Sequence, residues 1–373
     1  MKRFLFCVAV GACIPPLTQG ATNSAVAGAQ GAVEKGSELR WYDATAWGVE
    51  GRAWPDSERA RWFDRLPAAA EKTVTREVWD RSRPSTGMMA RFLTDADSIH
   101  VHYRLMKPDL GMAHMPPTGV SGVDLYARDE AGHWRWVMVV LPTAQEMKTE
   151  IVRDLSPGKR EYALYLPLYN GVDSLSIGVP AGAEFKGLSP RPKPLVFYGT
   201  STTQGACASR PGMACTAILG RQLDRHIVNL GFSGNGRMDA AMGDLLVQID
   251  AAGYVIDCVG NMVVADITRK CVALVKQLRA VRPTTPIFLL EGDHSPNSWI
   301  QPITLKMKDE KNAALRAAFT KLQEANTREL HYLPGTHFFG DDSEGVVDGH
   351  PSDLGFMRQA EVLEPALRAV LRE

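Results

Sequence analysis

Two periodicities divide the chain. From about Glu38 to Phe185, apolar and polar residues alternate in short runs: Ser98–Leu105, Val123–Ala127, Trp134–Val139, Glu161–Leu166 and Ser174–Val179. A period of two places every second side chain on one face of a strand, and the Gly, Pro, Asp and Asn residues between runs supply turns. The pattern predicts an antiparallel sandwich or jelly roll. Helical spacing is nearly absent in this half, apart from a short stretch near Asp56 to Arg65. Pro190-Arg191-Pro192-Lys193-Pro194 suits neither a helix nor a central strand, so the boundary falls just before it, near Lys186.

Beyond that connector the period changes. Apolar runs at Leu195–Tyr198, Ile227–Leu230, Tyr254–Cys258, Ile287–Leu290 and His331–Leu333 read as strands. Helical stretches separate them at about Gly212–Leu223, Met238–Gln248, Ile267–Val281 and Lys308–Ala325, and a last one spans roughly Asp353–Leu371. Strands alternating with helices predict a parallel sheet covered on both faces. The expected organisation is an export signal over residues 1–27, an all-β sandwich over 38–185 and an α/β domain over 186–373. Asp293–Met307 interrupts the second pattern with a Pro-containing insertion at a strand end, where active-site loops sit.

Composition narrows the function classes. The 373 residues carry 42 basic and 42 acidic side chains and no block of basic residues, which argues against nucleic acid or an anionic membrane as partner. After the N-terminus no apolar stretch is long enough to span a bilayer. Lys2-Arg3, the apolar run Phe4–Ile14 and the small or polar residues through Ala32 have the form of a secretory signal, predicting a secreted or periplasmic protein. Val10-Gly11-Ala12-Cys13 also resembles a lipobox, but Cys13 comes early for lipid attachment, so soluble export is favoured. Removal of the signal leaves Cys207, Cys215, Cys258 and Cys271, which are open to disulfide pairing in an exported protein or to a role as small buried thiols.

The candidate chemistry centres on the end of the first parallel strand. Leu195-Val196-Phe197-Tyr198 stops at Gly199-Thr200-Ser201, placing a serine where α/β sheets present ligands. A serine hydroxyl needs a base to remove its proton and donors aimed at the developing oxyanion. Gly234, in the Phe232–Gly236 turn after the second strand, offers a backbone N–H, and Asn261, after the third, offers a side-chain amide. Asp348-Gly349-His350 supplies an acid and a base.

Taken in order, these four blocks resemble the SGNH, or GDSL-like, hydrolases. The resemblance implies a three-layer α/β/α catalytic domain built on a flavodoxin-like parallel sheet. It implies Ser201 as nucleophile, His350 as general base, and Ser201 N–H, Gly234 N–H and the Asn261 side chain as oxyanion hole. The Cys207–Met213 loop, the Asn229–Gly236 stretch and Gly122-Val123-Asp124-Leu125-Tyr126 look like a branch with an extra N-terminal β-domain of GxDLY type. One departure stands out. The family spaces its acid and histidine as Asp-x-x-His, whereas Asp348-Gly349-His350 is one residue shorter. Asp348 is the expected partner of His350 if Gly349 lets its carboxylate reach Nδ1; otherwise a backbone carbonyl, Asp341 or Asp342 takes that place.

The resemblance implies hydrolysis of short acyl esters, especially O-acetyl groups on carbohydrates, with no metal or organic cofactor. Export fits a small-molecule or carbohydrate ester as substrate. No exposed apolar lid stands out, which disfavours long acyl chains. A catalytically disabled sugar-binding protein and a sugar acyltransferase are the alternatives. His100 and His102 share a strand face without a third metal ligand nearby, Glu291–His294 reads as pocket wall, and Trp134 and Trp136 read as sandwich core.

Overall fold

The computed structural model describes residues 31–33 and 38–371. The expected export signal, Cys13 included, lies outside the described residues. Among the described residues, ten strands build the N-terminal half: β1 (Ala32–Val33), β2 (Leu39–Asp43), β3 (Met89–Thr94), β4 (Ile99–Leu105), β5 (Asp124–Arg128), β6 (Trp134–Val139), β7 (Glu146–Val152), β8 (Arg160–Tyr165), β9 (Val172–Pro180) and β10 (Phe185–Leu188). They pair antiparallel in two sheets, ordered β1-β2-β9-β4-β7 and β10-β3-β8-β5-β6. Along β4, Ile99, Val101, Tyr103 and Leu105 are buried while His100, His102 and Arg104 turn away. The buried set shares one core with Phe92, Leu125, Tyr162 and Leu164 of the other sheet, which makes the pair a sandwich. β10 pairs with β3, so the sandwich runs two residues past Lys186.

The helix expected near Asp56–Arg65 is reduced to a single 3-10 turn at Asp56–Glu58. The Asp64 carboxylate accepts the Arg61 N–H at 3.0 Å and gives the backbone an alternative to helical bonding. The true helix of this region, α1 (Arg76–Ser82), comes later and is capped by Thr75.

The C-terminal half carries a parallel sheet of β11 (Leu195–Gly199), β12 (Ile227–Gly231), β13 (Gly253–Asp257), β14 (Ile287–Leu290) and β15 (Leu330–Leu333), in the order β12-β11-β13-β14-β15. Its helices are α2 (Ser201–Gln204), α3 (Cys215–Gln222), α4 (Ala240–Leu246), α5 (Val264–Val281), α6 (Pro302–Glu324) and α7 (Asp353–Val370). Alternate strand residues feed two separate cores. Val196, Tyr198, Val228, Leu230, Tyr254 and Ile256 pack with α4, α5 and α6, whereas Leu195, Phe197, Ile227, Val255 and Phe288 pack with α3 and α7. Apolar strands buried on both faces explain the unbroken runs in the sequence. Pro302 opens α6 six residues ahead of the expected start, since its fixed φ suits a first helical turn.

The two halves are bonded at an otherwise free sheet edge. Arg65, wholly buried, donates to the carbonyls of Asn229 at 3.0 Å and Gly231 at 2.8 Å along edge strand β12. The N-terminal segment thus satisfies strand carbonyls that would otherwise be buried without partners.

Candidate active site

With this strand order, the crevice at the carboxyl ends of β11 and β13 is the switch point of the sheet. Ser201 follows β11 directly as the first residue of α2. Thr200 caps that helix, its hydroxyl accepting the Thr202 N–H, and Ser201 N–H lies in the first turn, where amides have no intrahelical acceptor. Gly199 has no room for a side chain, because a Cβ would fall 2.1 Å from Thr203 Oγ1 and 2.6 Å from the Asp257 carbonyl.

Ser201 Oγ lies 2.8 Å from His350 Nε2. The other ring nitrogen, Nδ1, lies 2.9 Å from the Val347 carbonyl. A carbonyl only accepts, so Nδ1 carries the proton and Nε2 is left with its lone pair toward the serine. This is the tautomer a general base requires.

Asp348 is therefore not the partner of His350 Nδ1, and the expectation is corrected here. Asp348 and Gly349 both take left-handed backbone conformations, φ 54° and 73°, within a 3-10 turn over Val347–Gly349. The turn folds the Val347 carbonyl beneath the imidazole, where it also accepts the His350 N–H at 3.1 Å. The Asp348 charge acts instead on Cys207, whose thiol is pushed up by burial first and by that carboxylate second. Asp341 and Asp342 make no hydrogen bond to His350 either; Asp342 bonds Ser343.

The candidate oxyanion donors Gly234 and Asn261 lie in loops fixed by hydrogen bonds. Gly234 turns with φ 75°, a conformation natural to glycine. Its neighbour Ser233 donates its N–H to Gln204 Oε1 at 2.9 Å, while the Gln204 amide donates to the Leu168 carbonyl of the N-terminal domain at 3.3 Å. Asn261 Oδ1 accepts the Gly236 N–H at 3.3 Å, which fixes the amide orientation and leaves its NH2 group as donor. Asn229, wholly buried, donates to the Thr203 carbonyl at 2.6 Å and Thr216 Oγ1 at 3.0 Å, and accepts the Gly231 N–H at 2.9 Å. Gln204 and Asn229 were not among the sequence-derived site residues. Asn229 lies inside a stretch that carried the resemblance; nothing in the sequence marks Gln204.

The Gly122–Tyr126 motif meets the site through a loop. Asp124, wholly buried, accepts from Gly212 N–H at 2.8 Å, Arg210 Nη1 at 2.8 Å and Trp136 Nε1 at 3.0 Å. Ser209, in the same loop, bonds both carboxylate oxygens of Asp353 at the start of α7, just past His350. Trp136 is therefore half-exposed beside Arg210, and Trp134 is part-buried with Tyr126, Tyr165 and Ala217, so neither joins the sandwich core. His100 and His102 face Glu150 and Glu146 of β7, the neighbouring strand of their own sheet. Cys207, Cys215, Cys258 and Cys271 are all buried free thiols.

A cavity of about 60 Å³ lies beneath the site, bordered by Thr200, Thr202, Gly260, Asp257, Asp293 and Phe338; Ser201 and His350 do not line it. Burial pushes the Asp257 carboxyl up to about 7, against the hydrogen bond donated by Thr203 Oγ1 at 2.6 Å. Glu291, also on this wall, is taken up by Arg316, Tyr332 and the Gly335 N–H. The insertion after β14 carries apolar side chains in solvent: Trp299 is 80% and Ile303 85% exposed.

Residues 192–368 match the GDSL-like Lipase/Acylhydrolase family, and residues 39–185 match the family described as N-terminus of Esterase_SGNH_hydro-type. A crystal structure of a Bacteroides ovatus protein assigned as a GDSL-like lipase is 31% identical, covers 89% of this chain and 98% of its own, and superposes with a TM-score of 0.83. The chain belongs to the GDSL-like, or SGNH, hydrolases. The fold extends further. A salicylyl-acyltransferase from a tetracycline biosynthetic pathway superposes with a TM-score of 0.71 at 19% identity, over 90% of this chain and 99% of its own. A family two carbohydrate esterase from Cellvibrio japonicus does so with 0.58 at 14% identity, over 89% and 98%. No curated protein matches the sequence. Among the described residues of this SGNH hydrolase, no helix is long and apolar enough to cross a membrane.

Proposed function

We propose that this SGNH hydrolase is an exported serine esterase that removes short acyl groups, acetyl above all, from carbohydrate esters. The observation that carries the reading is the 2.8 Å contact between Ser201 Oγ and a His350 Nε2 whose tautomer is set by the Val347 carbonyl. In the reaction, Nε2 takes the serine proton as Oγ attacks the ester carbonyl carbon. Ser201 N–H, Gly234 N–H and the Asn261 amide donate to the oxyanion that forms. As the tetrahedral species collapses, the C–O bond to the alcohol breaks and His350 returns its proton to the departing oxygen. Water, deprotonated by the same nitrogen, then releases the acid and restores Ser201. The carbohydrate part of the reading is supported by the fold shared with a family two carbohydrate esterase and by the signal-like N-terminus.

The test compares the mature chain with Ser201→Ala on p-nitrophenyl acetate, p-nitrophenyl butyrate and acetylated oligosaccharides. The expected result is acetate preferred over butyrate, acetate release from the oligosaccharide, and a loss of kcat/KM of about 10³-fold or more in Ser201→Ala. Turnover that survives Ser201→Ala would remove the proposal.

A further inference from the structure

Beside His350 an open groove of about 600 Å³ runs between a loop of the N-terminal domain and the histidine turn. Its walls include Met112, His114, Met115, Pro116 and Pro117 on one side and Val346 on the other. Both walls are closed turns. Met112 and Met115 exchange backbone hydrogen bonds of 3.0 and 3.1 Å, and Val346 donates its N–H to the His350 carbonyl at 2.7 Å. The first loop is also tied to the catalytic domain, since Thr118 Oγ1 donates to the Ser209 carbonyl at 2.6 Å and Ser209 bonds Asp353. The groove thus keeps a fixed place relative to His350.

Chemistry assigns it a side of the substrate. The departing alcohol oxygen takes its proton from His350 Nε2, so the alcohol half of the ester lies on the histidine side. The proposed oxyanion donors come from the segments after β11, β12 and β13, and none of them lines the groove. Its surface includes thioether, proline ring and valine methyl, with His114 as the one ionisable side chain, and it carries no side-chain amide or carboxylate to pair with hydroxyl groups. Met112 and Val346 stand 39% and 44% exposed there, apolar area that a ligand would cover. We propose that this groove holds part of the alcohol half of the ester, and that an apolar face or substituent of the carbohydrate lies there rather than its row of hydroxyls. The inference rests on the esterase reading above.

Ethyl, butyl and hexyl acetate test it, because their leaving oxygens share one basicity and only the apolar length changes. For the wild type, kcat/KM should rise about tenfold from ethyl to hexyl as methylenes are partly buried. Met112→Gln and Val346→Ser, both surface changes, should each reduce that ratio to about threefold, while Leu141→Gln, 59% exposed and outside the groove, should leave it unchanged. A flat series in the wild type, or an undiminished ratio in both variants, overturns the proposal. A second arm needs no turnover: 2-naphthol is titrated by fluorescence into Ser201→Ala with and without Met112→Gln. The expected result is a Kd about fivefold weaker with Met112→Gln, and equal affinities overturn the groove assignment. Failure of all esters alongside Met112-dependent naphthol binding would instead count against the esterase reading alone.

Discussion

Ser201 and His350 meet across one hydrogen bond but are held there by different means. The serine side rests on buried side chains: Thr203 on Asp257, Gln204 between Ser233 and Leu168, and Asn229 across Thr203, Thr216 and Gly231. The histidine side is an exposed turn, with Val346 and Val347 both more than 40% exposed, and a backbone carbonyl orients the imidazole. A lattice of side chains can be dismantled one substitution at a time. A carbonyl cannot be mutated, so the histidine side should tolerate changes of side chain and respond to changes of backbone.

The largest effect expected is from His350→Ala, which removes the base and should lower kcat/KM on p-nitrophenyl acetate by about 10³-fold or more. Next is Asn261→Ala, which removes one proposed oxyanion donor; its kcat should fall about 10²–10³-fold with KM nearly unchanged. Gly349→Ala tests the backbone side directly. Its φ of 73° is unfavourable for alanine, and the added Cβ would lie 2.3 Å from Ser295 Oγ. A shifted turn carries the Val347 carbonyl with it, and a loss of about tenfold or more in kcat is expected, in line with the sensitivity of catalysis to misplacement of order 1 Å.

A smaller effect concerns pH and the serine side. The Asp257 carboxyl is raised from 3.8 to about 7 by burial. A raised folded-state pKa means the group's stabilising contribution is fully present below the unfolded value and is lost as pH rises through the folded one. Between about pH 4 and 7 the wild type should therefore lose stability relative to Asp257→Asn, read as the difference between their urea midpoints at each pH. A difference that stays constant across that window would show that Asp257 titrates normally.

Much of this was legible in the sequence because it rested on short-range pattern. Unbroken apolar runs gave the five parallel strands to within about one residue at their ends, and the candidates Ser201, Gly234 and Asn261 do follow successive strands of that sheet. β1, β2, β3, β7 and β10 were missed: Arg91 sits among the buried residues of β3, and in β7 Thr149 stands between Met147 and Ile151 on the less polar face, opposite Glu146, Lys148 and Glu150. Trp134 and Trp136 were placed in the wrong surroundings because the use of that sheet face depends on the catalytic domain packed near it, where Arg210 and Ala217 lie. Gln204 acts through a carbonyl 36 residues away, and no local spacing encodes that contact. Asp348 was favoured because the family pattern names an acid before the histidine, whereas the partner of Nδ1 depends on the path of the backbone, and two left-handed residues turn the Val347 carbonyl inward.

The most direct measurement is kcat/KM of Asp348→Asn, a substitution that keeps a residue tolerant of the left-handed φ of 54°. With the Val347 carbonyl holding His350, activity on p-nitrophenyl acetate should fall by less than about threefold, against the roughly 10⁴-fold loss seen where a carboxylate orients the histidine of a serine hydrolase. A loss approaching that larger figure would contradict the carbonyl assignment and return Asp348 to the catalytic machinery.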